Sequence, residues 1–144
     1  MEIVKRTIYE KVTKELFVAE DGESFATQEA CVAHENYRNF LRSKILPIET
    51  ALEDENCANF DGAENYESHH YYWYRPKSLE ELSYLEKYYN CPIHESAVGE
   101  WICIEKDEGG GDTWYTVLED GLHYVRTMLQ SLGYEITVKE IGAR

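Results

Sequence analysis

SLEELSYLEKYYNCPIHESAVGEWICIEKDEGGGDTWYTV, residues 78–117, changes from a helical to a strand period within forty residues. Its first part places Leu82, Leu85 and Tyr89 on one helical face. Ser78-Leu-Glu-Glu81 opens that helix as a capping box, in which Ser78 accepts from the free amide three residues on and Glu81 reaches back. Pro92 stops it. The second part, Glu100 to Lys106 and Thr113 to Val117, is rich in β-branched and aromatic residues and flanks Asp-Glu-Gly-Gly-Gly-Asp. That is the pattern of a hairpin with a flexible acidic tip.

Downstream, Thr116-Val-Leu-Glu119 matches a second capping box, and Leu122, Val125, Met128, Leu129 and Leu132 continue at helical spacing to Gly133, a natural C′ residue. Tyr134, Ile136 and Val138 then alternate as a final half-buried strand. Upstream, His70 to Tyr74, Leu16 to Ala19 and Ile3 to Tyr9 read as strands, and Asp21-Gly22 as a turn. Thr27 is the N-cap of a helix to about Ser43 whose apolar stripe is Ala30, Ala33, Tyr37, Phe40 and Leu41. Pro47 and the acidic stretch from Glu53 to Glu67 argue for an irregular segment, with a short strand around Ile48 as an alternative. The expected fold is a single α+β domain over residues 1–144: three helices packed on a mainly antiparallel sheet of five or six strands, with acidic irregular segments at 47–70 and 107–121.

The 144 residues include 28 Asp or Glu and 14 Lys or Arg, a net charge of −14, alongside 43% apolar and 13% aromatic residues. That composition is globular, and its mean field repels nucleic acid. No apolar run approaches the roughly 20 residues of a membrane span, and the first residues lack a signal-peptide core, so a cytoplasmic protein is expected. Cys31, Cys57, Cys91 and Cys103 are then expected as thiols or metal ligands.

The acidity is patterned. Residues 47–70 carry seven acids and no Lys or Arg, and residues 107–121 carry five acids and no base, so these two stretches hold −12 of the −14. Glu53, Asp54, Glu55, Asp61, Glu64, Glu67, Asp107, Glu108 and Asp112 are therefore the candidate partner-binding residues, for a basic protein surface. The competing account is a coat that keeps the protein soluble.

Two Cys-x-x-His pairs, Cys31/His34 and Cys91/His94, form a candidate Cys2His2 zinc set, with Cys57, His69 and His70 as alternates for any one ligand. Four protein ligands make such a site structural. The run His69-His70-Tyr71-Tyr72-Trp73-Tyr74 follows the most acidic segment, which argues against base stacking and for a strand with some rings in the core and others at an interface. Gly109-Gly110-Gly111 lacks the Lys-Ser/Thr of a phosphate loop, and a calcium loop aligned on Gly62 puts Ser68 where the bidentate acid belongs. With no Gly-x-Ser-x-Gly, no His-Glu-x-x-His and no singled-out carboxylate pair, an enzyme is not expected.

Residues 18–35, VAEDGESFATQEACVAHE, resemble a pattern common in small proteins of phages and prophages of Gram-positive bacteria, through Asp21, Gly22, Phe25, Cys31, His34 and Glu35. Small acidic phage proteins of this kind are similar to anti-defence proteins, of which the anti-CRISPR inhibitors are the best-known group. That resemblance implies a non-enzymatic inhibitor that binds a nucleic-acid-binding bacterial defence protein, an RNA-guided nuclease of a type II CRISPR system, and blocks DNA loading in the host cytoplasm. It carries over no binding residue. The alternative is a zinc-stabilised phage accessory or assembly protein that uses the aromatic strand as its protein-binding surface.

Overall fold

The computed structural model describes residues 1, 3, 5, 14–51, 69–107 and 109–142. They fall into two compact units, Met1–Asn39 and Phe40–Arg144. Most of the predicted strand Ile3–Tyr9 and of the acidic segment 47–70 lies outside the described residues.

In the first unit, β1 (Phe17–Val18) and β2 (Ser24–Phe25) pair antiparallel, with Phe17 opposite Phe25. The Asp21-Gly22 turn between them is closed by Ala19 N–H to Glu23 O and Gly22 N–H to Ala19 O, and Gly22 takes a positive φ of 89°. Helix α1 (Gln28–Phe40) follows, and Thr27 Oγ1 accepts from Ala30 N–H as the expected cap. Its buried residue is Cys31, with His34 and Arg38 on the same face, whereas Ala30 and Ala33 are exposed. The first part of the expected apolar stripe is thus turned outward, because the carboxylates of the turn draw His34 and Arg38, four residues apart, toward the hairpin, whereas Tyr37, Phe40 and Leu41 are half-buried as the stripe requires.

The second unit begins with Phe40 and a π turn, Leu41–Ile45, and continues as α2 (Leu46–Ala51). Residues 47–51, expected to be irregular or a short strand, are therefore helical. The reason lies just before Pro47. Proline removes an amide and crowds the carbonyl four residues back, but here the chain has already widened, Leu46 N–H bonding five residues back to Leu41 O. The helix runs on past Pro47 instead of stopping.

Strands β3 (His69–Tyr74), β4 (Ile102–Asp107) and β5 (Trp114–Val117) form an antiparallel sheet in the order β3-β4-β5, with Tyr74 opposite Ile102 and Ile102 opposite Val117. The first four residues of the central strand β4 are all buried. Helix α3 (Leu79–Tyr89) buries Leu82, Leu85 and Tyr89, the three residues expected from periodicity. Ser78 Oγ accepts from Glu81 N–H at 3.1 Å, and Glu81 reaches back to Lys77 N–H at 2.8 Å. The helix ends at Asn90, which adopts the left-handed conformation, before Pro92 is reached. Ile45, Leu85, Ile102 and Ile104 are fully buried at the centre of the core, and Tyr72, Tyr74, Tyr89 and Ile93 pack around them.

A hydrogen-bond chain crosses this core. Tyr89 Oη donates to Glu49 Oε1 at 2.7 Å and Tyr88 Oη to Glu49 Oε2 at 3.1 Å, so the Tyr74 hydroxyl donates in turn to Tyr89. Burial pushes the Tyr74 and Tyr89 phenols far above their usual range, and both are neutral donors.

The single sheet of five or six strands is not what forms. The described residues hold one sheet of two strands and one of three, and three helical stretches: 28–51, α3, and α4 (Leu118–Ser131). Among the described residues, the strand expected near Leu16 to Ala19 pairs only within its own hairpin. The strand expected at Tyr134–Val138 does not form, since alternation alone supplies no neighbour to hydrogen-bond with, and Tyr134, Ile136 and Val138 stay 66, 39 and 46% exposed. The capping box at Thr116 also fails: Thr116 is held in β5 opposite Cys103, so α4 starts after Val117 without a side-chain cap. Gly133 does end α4, with φ of 87°. No helix among the described residues is long and apolar enough to cross a membrane.

Replacing Glu49 by Ala leaves two part-buried tyrosine hydroxyls without their acceptor. A loss of about 1–3 kcal/mol in denaturant unfolding is expected, and Glu49→Gln, which keeps one acceptor oxygen, should lose less. An unchanged midpoint for Glu49→Ala would remove the chain from the stabilising interactions.

Candidate functional site

The acidic hairpin tip is built from its first residue. Asp107 closes β4, and its carboxylate accepts from Gly109 N–H through Oδ1 at 2.8 Å and from Gly111 N–H through Oδ2 at 3.0 Å. Gly110 takes a φ of 94°, and a Cβ on Gly111 would collide with Asp107 Oδ2. The glycines are thus what lets a carboxylate fold the tip around itself. Asp107 acts as the organiser of the turn, and Asp112 is exposed on its far side. Of the other candidate partner-binding residues, Glu53, Asp54, Glu55, Asp61, Glu64, Glu67 and Glu108 lie outside the described residues.

Asp21, Phe25, His34 and Glu35 meet in the first unit. His34 Nε2 lies 2.9 Å from Asp21 Oδ2 and 3.3 Å from Glu23 Oε2, and Arg38 Nη1 is 3.0 Å from the same Asp21 oxygen. Asp21 Oδ1 accepts from Glu23 N–H at 3.1 Å, Glu35 Oε1 accepts from Glu20 N–H at 3.2 Å, and the Phe25 and His34 rings are 5.0 Å apart. The His34 hydrogen bond, then the Glu23 amide and the Arg38 charge, hold the Asp21 carboxyl below its usual value. Among the described residues, Asp21, Glu23 and His34 are the group of three potential metal ligands whose atoms lie within 4.8 Å of one another. With Arg38 already on Asp21, the arrangement is an ionic latch between turn and helix.

The four expected zinc ligands divide between the units. Cys31 is buried on α1, where burial and then Glu35 push its thiol up, and His34 faces the carboxylates just described. In the second unit Cys91 is buried, with its thiol pushed up by burial and then Glu86. His94 is exposed and caps a short 3-10 turn, Glu95–Ala97, its Nδ1 accepting from Ser96 N–H at 3.1 Å, which leaves Nε2 outward.

The aromatic strand offers little surface. Tyr71, Tyr72 and Tyr74 are all buried, and only Trp73 among the four rings is partly open. Trp73 does contribute to a feature that composition conceals. It lines a groove of about 240 Å³ with Trp101, over a floor that includes Ile48 and Leu85, and Lys44, Arg75 and Lys77 stand around it. Three cations and one acid, Glu81, thus meet at one groove in a chain of net charge −14, the cations drawn from α2's approach and from the β3–α3 connection. Spacing could not have revealed it, because Lys44 and Lys77 are brought together only by the fold.

A depressed carboxyl stabilises the folded state above the unfolded value and stops doing so as the folded value is passed on acidification. Asp21→Asn should therefore melt below the parent at pH 7, and the gap should close as the pH is taken well below about 4. A gap that persisted at low pH would mean that packing, not charge, holds the turn to α1. No family model matches the chain, and no curated protein or solved structure does so either.

Proposed function

We propose that this chain is a non-enzymatic acidic protein that binds and inhibits a basic, nucleic-acid-binding defence protein of a bacterial host, the target class being a type II CRISPR RNA-guided nuclease. One observation carries the reading: 39 residues without a single Lys or Arg hold −12 of the −14 charges. An even solvating coat would mix signs. The braced tip of the β4–β5 hairpin supports it further, because Asp107 spends its carboxylate on the turn and so fixes where Asp112 stands. Carboxylates on such a support are attracted to a basic channel as phosphates are, and they displace the guide or target that the channel would hold.

In a cleavage assay, excess protein added before guide and target should abolish cleavage, and the same protein added after loading should inhibit less. Free DNA should not be bound. Nucleases of several type II systems left fully active by excess protein would overturn the assignment. Neutralising Glu108 and Asp112 while keeping Asp107, or neutralising Glu53, Asp54 and Glu55 together, should slow association and flatten its dependence on salt. If both variants bind the target as the parent does, the acidity is a solvating coat.

A structural zinc is a separable part of the proposal. Protein purified without chelator should carry about one zinc per chain, and chelation should lower its melting temperature. Metal-free protein with unchanged stability removes the zinc and leaves the acidic surface untouched.

A further inference from the structure

The end of the chain exposes apolar side chains in a continuous run. Tyr124 and Met128 on α4 and Leu132 at its C-cap recur every four residues and are 65, 45 and 66% exposed. One face of the helix is therefore apolar and uncovered, and Gly121 is the only buried residue that α4 has. Tyr134 follows the Gly133 turn, its N–H bonded back to Leu129 O at 2.9 Å, and the apolar run continues through Ile136 and Val138 with no strand partner among the described residues. These six side chains together present on the order of 600 Å² per copy, about what one partner gives to a small specific interface.

The sequence of this run says what covers it. Residues 134–140 read Tyr-Glu-Ile-Thr-Val-Lys-Glu. Set antiparallel against itself about a two-fold axis through Thr137, this segment places Glu135 opposite Lys139 twice, on one face with Thr137 opposite Thr137. On the other face Ile136 lies opposite Val138, also twice. An axis at Ile136 keeps an apolar face but loses both Glu135–Lys139 pairs, since Glu135 then meets Thr137, and an axis at Val138 loses both matches, since Ile136 then meets Glu140. Beyond Asp120, which stands one turn before Tyr124, the region escapes most of the repulsion that the rest of the chain would impose on a copy of itself, because residues 122–144 carry three bases and two acids, net +1.

We infer that the face formed by Tyr124, Met128 and Leu132 of α4 and by residues 134–140 is a two-fold interface for a second copy of this chain, in which the two 134–140 segments pair as antiparallel strands centred on Thr137. The paired segments satisfy each other's amides and carbonyls, and the α4 stripes close over the Ile136 and Val138 face. The interface is independent of the acidic surface, so an inhibitor that failed to bind any nuclease would still dimerise.

Sedimentation or light scattering of the full chain across micromolar concentrations tests it. A mass of twice 16.8 kDa is expected at the upper end, with dissociation on dilution. Glu135→Lys and Lys139→Glu should each weaken the dimer on the order of tenfold, because each replaces two attractive cross-strand pairs by two repulsive ones. The double variant Glu135→Lys/Lys139→Glu should restore it. Circular dichroism of each variant checks that these exposed changes leave the fold intact. A monomer at all concentrations, single variants that dimerise as the parent does, or a double variant that stays weak would each overturn the inference. So would a monomer that buries Leu132 and Ile136 only against a different protein.

Discussion

Glu49 is the acid on which the second unit depends. Its two oxygens take the hydroxyls of Tyr89 and Tyr88 from α3, and Tyr89 takes that of Tyr74 from β3, so one carboxylate ties α2, α3 and the sheet edge together. Buried phenols need such an acceptor, because an unpaired hydroxyl in an apolar core costs more than the bond itself gains. Aromatic side chains alone would fill the same volume without fixing which ring lies where. The chain fixes it: the Tyr74 and Tyr89 rings lie tilted at 5.8 Å, and Tyr88 meets Tyr89 edge-on at 4.8 Å. An acidic residue in a base-free stretch is thus structural, and total charge overstates how much acid is free for a partner.

The first unit solves a different problem. A two-residue hairpin and one helix cannot bury enough apolar surface to define a contact, and Cys31 is the buried residue of α1. Asp21, His34, Arg38 and Glu35 supply the definition instead, each reaching between turn and helix. These four residues build the contact between turn and helix.

What was legible in the sequence is what local bonding decides. Ser78 and Glu81 cap α3, Leu82, Leu85 and Tyr89 face inward, and the glycine-rich tip joins β4 to β5, because each of these features is settled within a few residues. Features decided by distant partners were not legible. Thr116 has the spacing of a cap, but the ladder to Cys103 claims it first. Pro47 reads as a stop, and only the π turn before it lets the helix pass. Of the acids marked as a surface, Asp107 turns out to be spoken for by two glycine amides, a use that the Gly-Gly-Gly following it could have suggested. The grouping of Lys44, Arg75 and Lys77 around Trp73 and Trp101 required the tertiary structure.

Most of the net charge and the apolar run from Tyr124 to Val138 lie in different stretches of this chain, and the difference has a physical consequence. A net charge of −14 opposes the approach of two copies wherever the acids face each other, but screening confines that repulsion to roughly 10 Å at ordinary salt. Association is then governed by the local charge of the surfaces that meet. In residues 122–144 that local charge is +1, and it is there that Tyr124, Met128, Leu132 and Tyr134 stand exposed. Asp120 stands one turn before Tyr124 on α4, so the stripe starts beside an acid and leaves that charge behind only toward Met128 and Leu132. Under the dimer inferred above, the copies meet at the near-neutral end of the stripe, where local charge does not oppose them.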